Sequence, residues 1–246
     1  YWVIRLNPIE DSSDNDSIDL PPIGFPVIHI HFGSNTNLHN LDSNLGHINL
    51  TGQITTHVKV FPKKGIEFLG INFKPYGLYN LMGIKMDTIK DCIINAESLF
   101  DSNKISALIS SLKKNNFEEA IDSLEHLLIA KMGSSIKVDK EFDRIVDLIV
   151  DKKGLLNISN LVESNRNLQR YFKKTIGISA KLFAQILRHK FILENIYSGE
   201  KVDWDHFILK GYYYDLSHFN KDFIKFAKIR ANKYLQIKNS FTQNII

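Results

Sequence analysis

Residues 164–188 read SNRNLQRYFKKTIGISAKLFAQILR. Leu168, Phe172 and Ile176 recur at i, i+4 and i+8, which predicts a helix over Asn165–Thr175 with one apolar face. Arg166, Arg170, Lys173 and Lys174 fall on the other side. Ser164 is the expected N-cap, because its hydroxyl can accept a bond from a free first-turn amide, and Gly177 is the expected stop. Ser179 then caps a second helix, expected to reach about Tyr197 and to stop at Gly199, with Leu182, Phe183, Ile186, Leu187, Leu193, Ile196 and Tyr197 as a broad apolar face. Upstream, Phe142, Ile145, Val146, Ile149 and Val150 predict an amphipathic helix ended by Gly154, and Ile158–Glu163 leaves room for one more short helix. A short helix, a cap, a turn and a basic helix form the layout of a helix-turn-helix reader, whose second helix enters the major groove.

The device repeats downstream. Asp203 is expected to cap a short helix carrying Trp204, Phe207 and Ile208. After the turn Gly211-Tyr-Tyr-Tyr214, Asp215 caps a second basic helix over Leu216–Phe226, with Phe219, Phe223 and Phe226 facing inward. The helix joining the two units, about 19 residues at roughly 1.5 Å each, would span about 30 Å, close to one turn of B-DNA at about 34 Å. Phe219, Phe223, Phe226 and Tyr234 sit at helical spacing and read as core, and one of Tyr212, Tyr213 and Tyr214 reads as exposed.

Charge points to the same half. The chain of 246 residues has a net charge of only +4, but residues 1–139 carry 12 basic and 16 acidic side chains, whereas residues 140–246 carry 19 and 11. Between Ser164 and Leu193 there are seven basic residues (Arg166, Arg170, Lys173, Lys174, Lys181, Arg188, Lys190) and no acid. An asymmetry of this kind fits a polyanionic partner. Each phosphate neutralised by such residues releases counterions and adds sequence-independent affinity.

The first half reads as β and loop. Glu10–Asp19, with five acids, reads as a solvated loop. Val27–Phe32 (VIHIHF) alternates with period two, as a half-buried strand does. Asn35–Gly46 reads as a loop, Gln53–Phe61 as a strand, Pro62–Gly65 as a turn and Glu67–Phe73 as a strand in which Gly70 marks a bulge or a close backbone approach. Tyr76–Met82 is a short helix stopped by Gly83. Ile105, Leu108, Ile109 and Leu112, then Phe117, Ile121, Leu124, Leu127 and Leu128, predict a helical pair turning at Asn115-Asn116. Met132–Ser135 is the boundary between halves.

Other chemistry is weaker. His29 and His31 share a strand face at i, i+2, the start of a metal motif, but Asn35 and Thr36 stand where a carboxylate ligand is needed; they read as structural or surface histidines. His39 and His47 read as loop residues. Cys92 reads as a small buried side chain, and a single cysteine fits a reducing cytosol. No Gly-x-Ser-x-Gly, Walker or dinucleotide glycine pattern is present, so no enzyme and no cofactor is expected. No run of about 20 apolar residues exists, which excludes a membrane-spanning helix in this sequence. The start at Tyr1 shows no signal peptide and reads as trimmed.

The segments RNLQRYFKKTIGISAKLFAQILR (Arg166–Arg188) and GYYYDLSHFNKDFIKF (Gly211–Phe226) resemble the double helix-turn-helix domain of the AraC/XylS transcription regulators. Tyr1-Trp2, Gly70-Ile-Asn-Phe-Lys-Pro75 and Leu81-Met-Gly83 resemble the uncharacterised domain that often precedes that module. The resemblance implies an α+β chain: a β-rich, sensor-like domain over 1–132 ending in the helical pair, then an all-α DNA-binding domain over 136–246. It implies a cytoplasmic regulator that binds specific double-stranded DNA, and it admits a small-molecule effector at the first domain and a homodimer. For the first recognition helix it nominates Ser164, Asn165, Asn167, Gln169 and Arg170, beside the phosphate candidates Arg166, Lys173 and Lys174. For the second it nominates Ser217, His218, Asn220, Lys221 and Lys225. Because Ile158–Glu163 is short for a supporting helix, the alternative is a degenerate relative that serves as a protein-interaction module.

Overall fold

The computed structural model describes residues 2–5, 18–33, 38–39, 45–62, 67–131, 138–158, 165–198, 204–209 and 212–237. The fold is α+β, with strands first and helices after. A five-stranded antiparallel sheet has the order β1 (Trp2–Arg5), β7 (Glu67–Asn72), β3 (Val27–His31), β5 (Ile48–Thr51), β8 (Ile93–Asn95). A three-stranded sheet has the order β2 (Ile18–Leu20), β6 (Val58–Pro62), β4 (Leu38–His39). The helices are α1 (Gly77–Met82), α2 (Ser102–Lys113), α3 (Phe117–Ile129), α4 (Lys140–Asp151), α5 (Arg166–Ile176), α6 (Ala180–Tyr197), α7 (Trp204–Leu209), α8 (Leu216–Ala227) and α9 (Ala231–Ile237), with short 3-10 turns at Met86–Ile89 and Glu97–Leu99.

The period-two pattern of β3 sets the register. Ile28 lies between Leu50 and Ile71, and Ile30 between Ile48 and Leu69. These six form one buried face that shares an apolar cluster with Ile105, Leu108 and Leu112 of α2 and Leu124 and Leu127 of α3. His29 and His31 point to the other face, where their rings meet Phe68 at 5.6 and 5.4 Å. Burial first, and then the charge of His31, pushes His29 down to about 3; burial first, and then His47, pushes His31 down to about 4. Both are therefore neutral near pH 7 and structural. Among the described residues, no group of three His, Cys, Asp or Glu could hold a metal ion.

Several expectations change. The end of the acidic segment, Ile18–Leu20, is a strand paired with β6; the rest of it lies outside the described residues. Of Gln53–Phe61 only Val58 onward is strand; before it Gln53 Nε2 donates to Gly24 O within the strand-rich half, and His57 N donates to Phe226 O of the helical half. Gly70 makes no bulge; it pairs in regular register with Trp2 and His29. Strand β4, with His39, lies inside the presumed loop. Strands β5 and β8 were not anticipated. Cys92 is exposed, not buried, since it leads into β8 at the edge of the sheet. The boundary at Met132–Ser135 lies outside the described residues.

The helical half holds two further clusters. One joins Phe142, Val146 and Ile149 of α4, Phe172 and Ile176 of α5, and Phe183, Ile186 and Leu187 of α6. The other joins Ile192, Leu193 and Ile196 of α6 with Phe207, Phe219, Phe223 and Tyr234. A single helix, α6, thus serves both cores. Midway along it His189, 1% exposed, stands 5.1 Å from the Phe223 ring and 5.2 Å from the Phe226 ring. Burial, and secondarily His57, pushes its pKa from the ordinary 6.5 down to about 3. The unfolded chain therefore takes up this proton first. The stabilisation is complete above about pH 6.5 and is lost as pH falls toward 3, at up to about 1.4 kcal/mol per pH unit. His189→Leu keeps the packing volume, and its acid unfolding profile is expected to be shallower than that of the unsubstituted chain between pH 6 and 4. Identical slopes in denaturant titrations at those pH values would refute this.

Candidate nucleic-acid interface

The first candidate helix starts one residue later than its sequence suggests. Asn165 is the N-cap of α5: its Oδ1 accepts from Asn167 N and Leu168 N at 3.0 and 3.1 Å. Ser164, the expected cap, lies outside the described residues, as do residues 159–163. Phe172, Thr175 and Ile176 are buried, and Gly177 closes the helix in the left-handed conformation (φ 95°). Asn165, Arg166, Asn167, Gln169, Arg170 and Lys173 are exposed. Arg170 donates to Asn167 Oδ1 at 3.2 Å, which holds the guanidinium along the open face. Lys174 departs from that face. It is half-buried, with its ammonium 5.2 Å from the Tyr79 ring.

The second helix, α8, starts where predicted. Asp215 caps it by accepting from His218 N at 2.7 Å. Phe219, Asp222, Phe223 and Phe226 are buried, and Ser217, Lys221 and Lys225 are exposed. Asn220 is half-buried and donates to Leu216 O at 2.9 Å. Lys225 is tied back to α6 through Gln185 Oε1 at 2.8 Å. His218 points sideways: its ring stacks on Tyr214 at 5.6 Å, and its Nε2 is 4.0 Å from Asp222 Oδ2. Arg188 of α6 approaches the same carboxylate at 3.9 Å and covers the Tyr213 ring at 5.6 Å. Burial, the largest influence there, raises the Tyr213 hydroxyl above its ordinary value. This largely buried group of Arg188, Asp222 and Tyr213 fixes α8 on α6. Capping of α6 by Ser179, which accepts from Leu182 N, is as predicted; Gly199, Asp203 and Gly211 lie outside the described residues.

Some residues of this face were missed. A groove of about 450 Å³ beside α8 is lined by Ser217, Asn220, Ile224, Arg230 and Asn232. Ile224 lies three and four residues beyond Lys221 and Asn220, so its outward position was available from helical spacing. Arg230 directly precedes α9 and Asn232 lies in its first turn, and only the tertiary fold brings them to the groove. Tyr214 is 93% exposed, the exposed member of the tyrosine turn.

The strand-rich half braces the first unit. Lys74 and the Tyr76 hydroxyl donate to the Asp147 carboxylate at 3.0 Å, and Asn80 Nδ2 donates to Asp143 at 2.9 Å. The Lys74 ammonium also donates to the Tyr76 hydroxyl at 3.0 Å, and its hydrogen bonds, to Tyr76 first and to Asp147 next, keep it well above its usual value. Tyr171 of α5 packs edge-on between Phe142 and Tyr79. Gly177 is pressed on the backbone of Met86, whose carbonyl oxygen would lie 2.8 Å from an added Cβ.

A family described as "Domain of unknown function (DUF6597)" matches residues 1–95. No curated protein matches the chain. Among solved structures, ToxT of Vibrio cholerae is similar. An apo point variant from strain SCE256 has 12% identity over 91% of this chain and 94% of that chain, with TM-score 0.48. ToxT in another crystal form has 14% identity over 90% and 94%, with TM-score 0.48. ToxT from strain O395 bound to (E)-4-(8-methylnaphthalen-1-yl)but-3-enoic acid has 14% identity over 90% and 94%, with TM-score 0.47.

Proposed function

We propose that this chain is a transcription regulator of the AraC/XylS type that binds double-stranded DNA through α5 and α8. The observation that supports it is the pairing of two side-chain-capped helices, each with one face sunk in a core and the other open and basic, on the single helix α6. Arg166, Arg170 and Lys173 supply phosphate contacts from α5, and Lys221 and Lys225 from α8. Asn167, Gln169, Ser217 and Asn220 are the base-edge candidates. Asn165 adds its cap, which aims the first turn. The strand-rich half is proposed to sense a small molecule or to pair two chains in the cytoplasm. The interaction-module alternative is not favoured, because both basic faces remain open.

Binding to a library of duplex fragments at two salt concentrations tests this. At least one fragment is expected to bind well below the non-specific range of about 10⁻⁴–10⁻⁶ M, with affinity falling steeply as salt rises. Uniform non-specific binding sinks the proposal. Arg170→Ala is expected to weaken binding and to lower the salt slope by about one. Its melting temperature stays nearly unchanged, because the side chain is exposed. A large fall in melting temperature contradicts its placement on the open face.

A further inference from the structure

The exposed arc of α8 carries an aliphatic and amide strip between cations. Around the exposed side of the helix Leu216, Asn220, Ile224, Ser217, Lys221 and Lys225 follow in that order at 100° per residue: Leu216 borders Phe223 at one edge, Asn220 and Ile224 come next, and Ser217 and Lys221 stand opposite the phenylalanines. Leu216 is 47% and Ile224 39% exposed. Lys221 and Lys225 stand on one flank of the strip, and Arg230 lines the groove beside it with Asn220 and Ile224. Cations on both sides of an uncharged strip match a major groove, in which two phosphate rows border a floor of base edges. On such a floor arginine and lysine select guanine, asparagine pairs with the N6/N7 edge of adenine, and aliphatic carbons contact the thymine methyl. The strip of α8 holds no arginine, and Lys225 is held by Gln185. The open arc of α5 has Arg166 and Arg170 at its centre, where α8 has Ser217 and the phosphate candidate Lys221. The two helices therefore present different chemistry to the duplex.

We infer, resting on the DNA-binding function proposed above, that α8 reads an A·T-rich segment, with Ile224 and Leu216 against thymine methyls and Asn220 on an adenine. The segment under α5 is the one that accepts guanine.

The test is selection of bound duplexes from a randomised pool with the whole chain, followed by binding to the selected duplex with thymines changed to deoxyuridine, which lacks only the methyl group. The enriched site is expected to contain one A·T-rich segment. Deoxyuridine there should weaken binding about fourfold for each methyl contacted, and Ile224→Ala should remove that sensitivity at the thymine Ile224 contacts. Asn220→Ala should erase a preference of roughly 5- to 150-fold at a single position. Because the deoxyuridine comparison leaves the protein unaltered, folding does not enter it. An enriched site whose α8-dependent segment is G·C-rich, or binding indifferent to the methyl group, overturns the inference while leaving DNA binding intact. No enriched sequence at all overturns the proposed function itself.

Discussion

An alanine at position 154 is expected to cost the chain about 2–5 kcal/mol of stability. Gly154 ends the turn after α4 with φ 73°, and its amide donates to Ile149 O at 2.9 Å. A Cβ there would lie 2.0 Å from the carbonyl oxygen and 2.8 Å from the carbonyl carbon of Ala184, in the middle of α6. A left-handed residue with a Cβ costs roughly 1–2 kcal/mol, and forcing extra volume into a packed contact costs about 1–3 kcal/mol more. The obstacle is backbone, so no rotamer relieves it; α6 would have to lift, drawing Phe183 and Leu187 from the core they share with α4. In a chain of this length each kcal/mol moves the melting temperature by about 2–4 °C, so a fall of roughly 4–20 °C is expected in thermal unfolding. Gly83, exposed and with φ 72°, is the control. Its alanine variant carries only the left-handed cost. Equal losses at the two positions would show that α6 yields to the methyl group.

Phe223→Ala is expected to act further along the same helix. The Phe223 side chain is fully buried, and its ring stands 5.1 Å from His189, 5.8 Å from Phe219 and 5.6 Å from Tyr234. Truncating a buried phenylalanine costs about 3–5 kcal/mol, because the cavity left behind closes only in part. The loss should be local. Phe223 belongs to the cluster joining the end of α6 with α7, α8 and α9, and not to the one that holds α4 and α5. In hydrogen exchange, amides of α8 and α9 should lose protection while those of α2 and α3 keep theirs. Uniform loss through the chain would mean that the cores unfold as one unit.

The helical half was legible because its signals are local. Apolar spacing placed Phe172, Phe219, Phe223 and Phe226 in cores, and Ser179 and Asp215 cap the helices they were expected to cap. Where two good capping residues adjoin, as at Ser164-Asn165, spacing alone cannot choose between them. The strands were harder. In β5 the polar Asn49 hides a fully buried strand; its side chain bonds with both the N–H and the carbonyl of Gly46, so burial leaves it satisfied. Residues 52–57 carry β-type side chains, yet their partners Gly24 and Phe226 are distant in sequence. The same holds for the interface residues: periodicity put Lys174 on the basic face, and only the packing of α1 against α5 draws it to Tyr79.

The continuity of α6 fixes more than affinity. Its 18 residues run without a break for about 27 Å from one unit to the other, and an intact helix neither lengthens nor twists to suit a target. Under the proposed function, with both units on one duplex, the number of base pairs between the two segments becomes part of the address. One inserted pair would swing the second segment about 35° around the duplex axis. The chain would then have to release one unit or strain the DNA, so spacing variants of a natural site should fail even when every contacted base is retained.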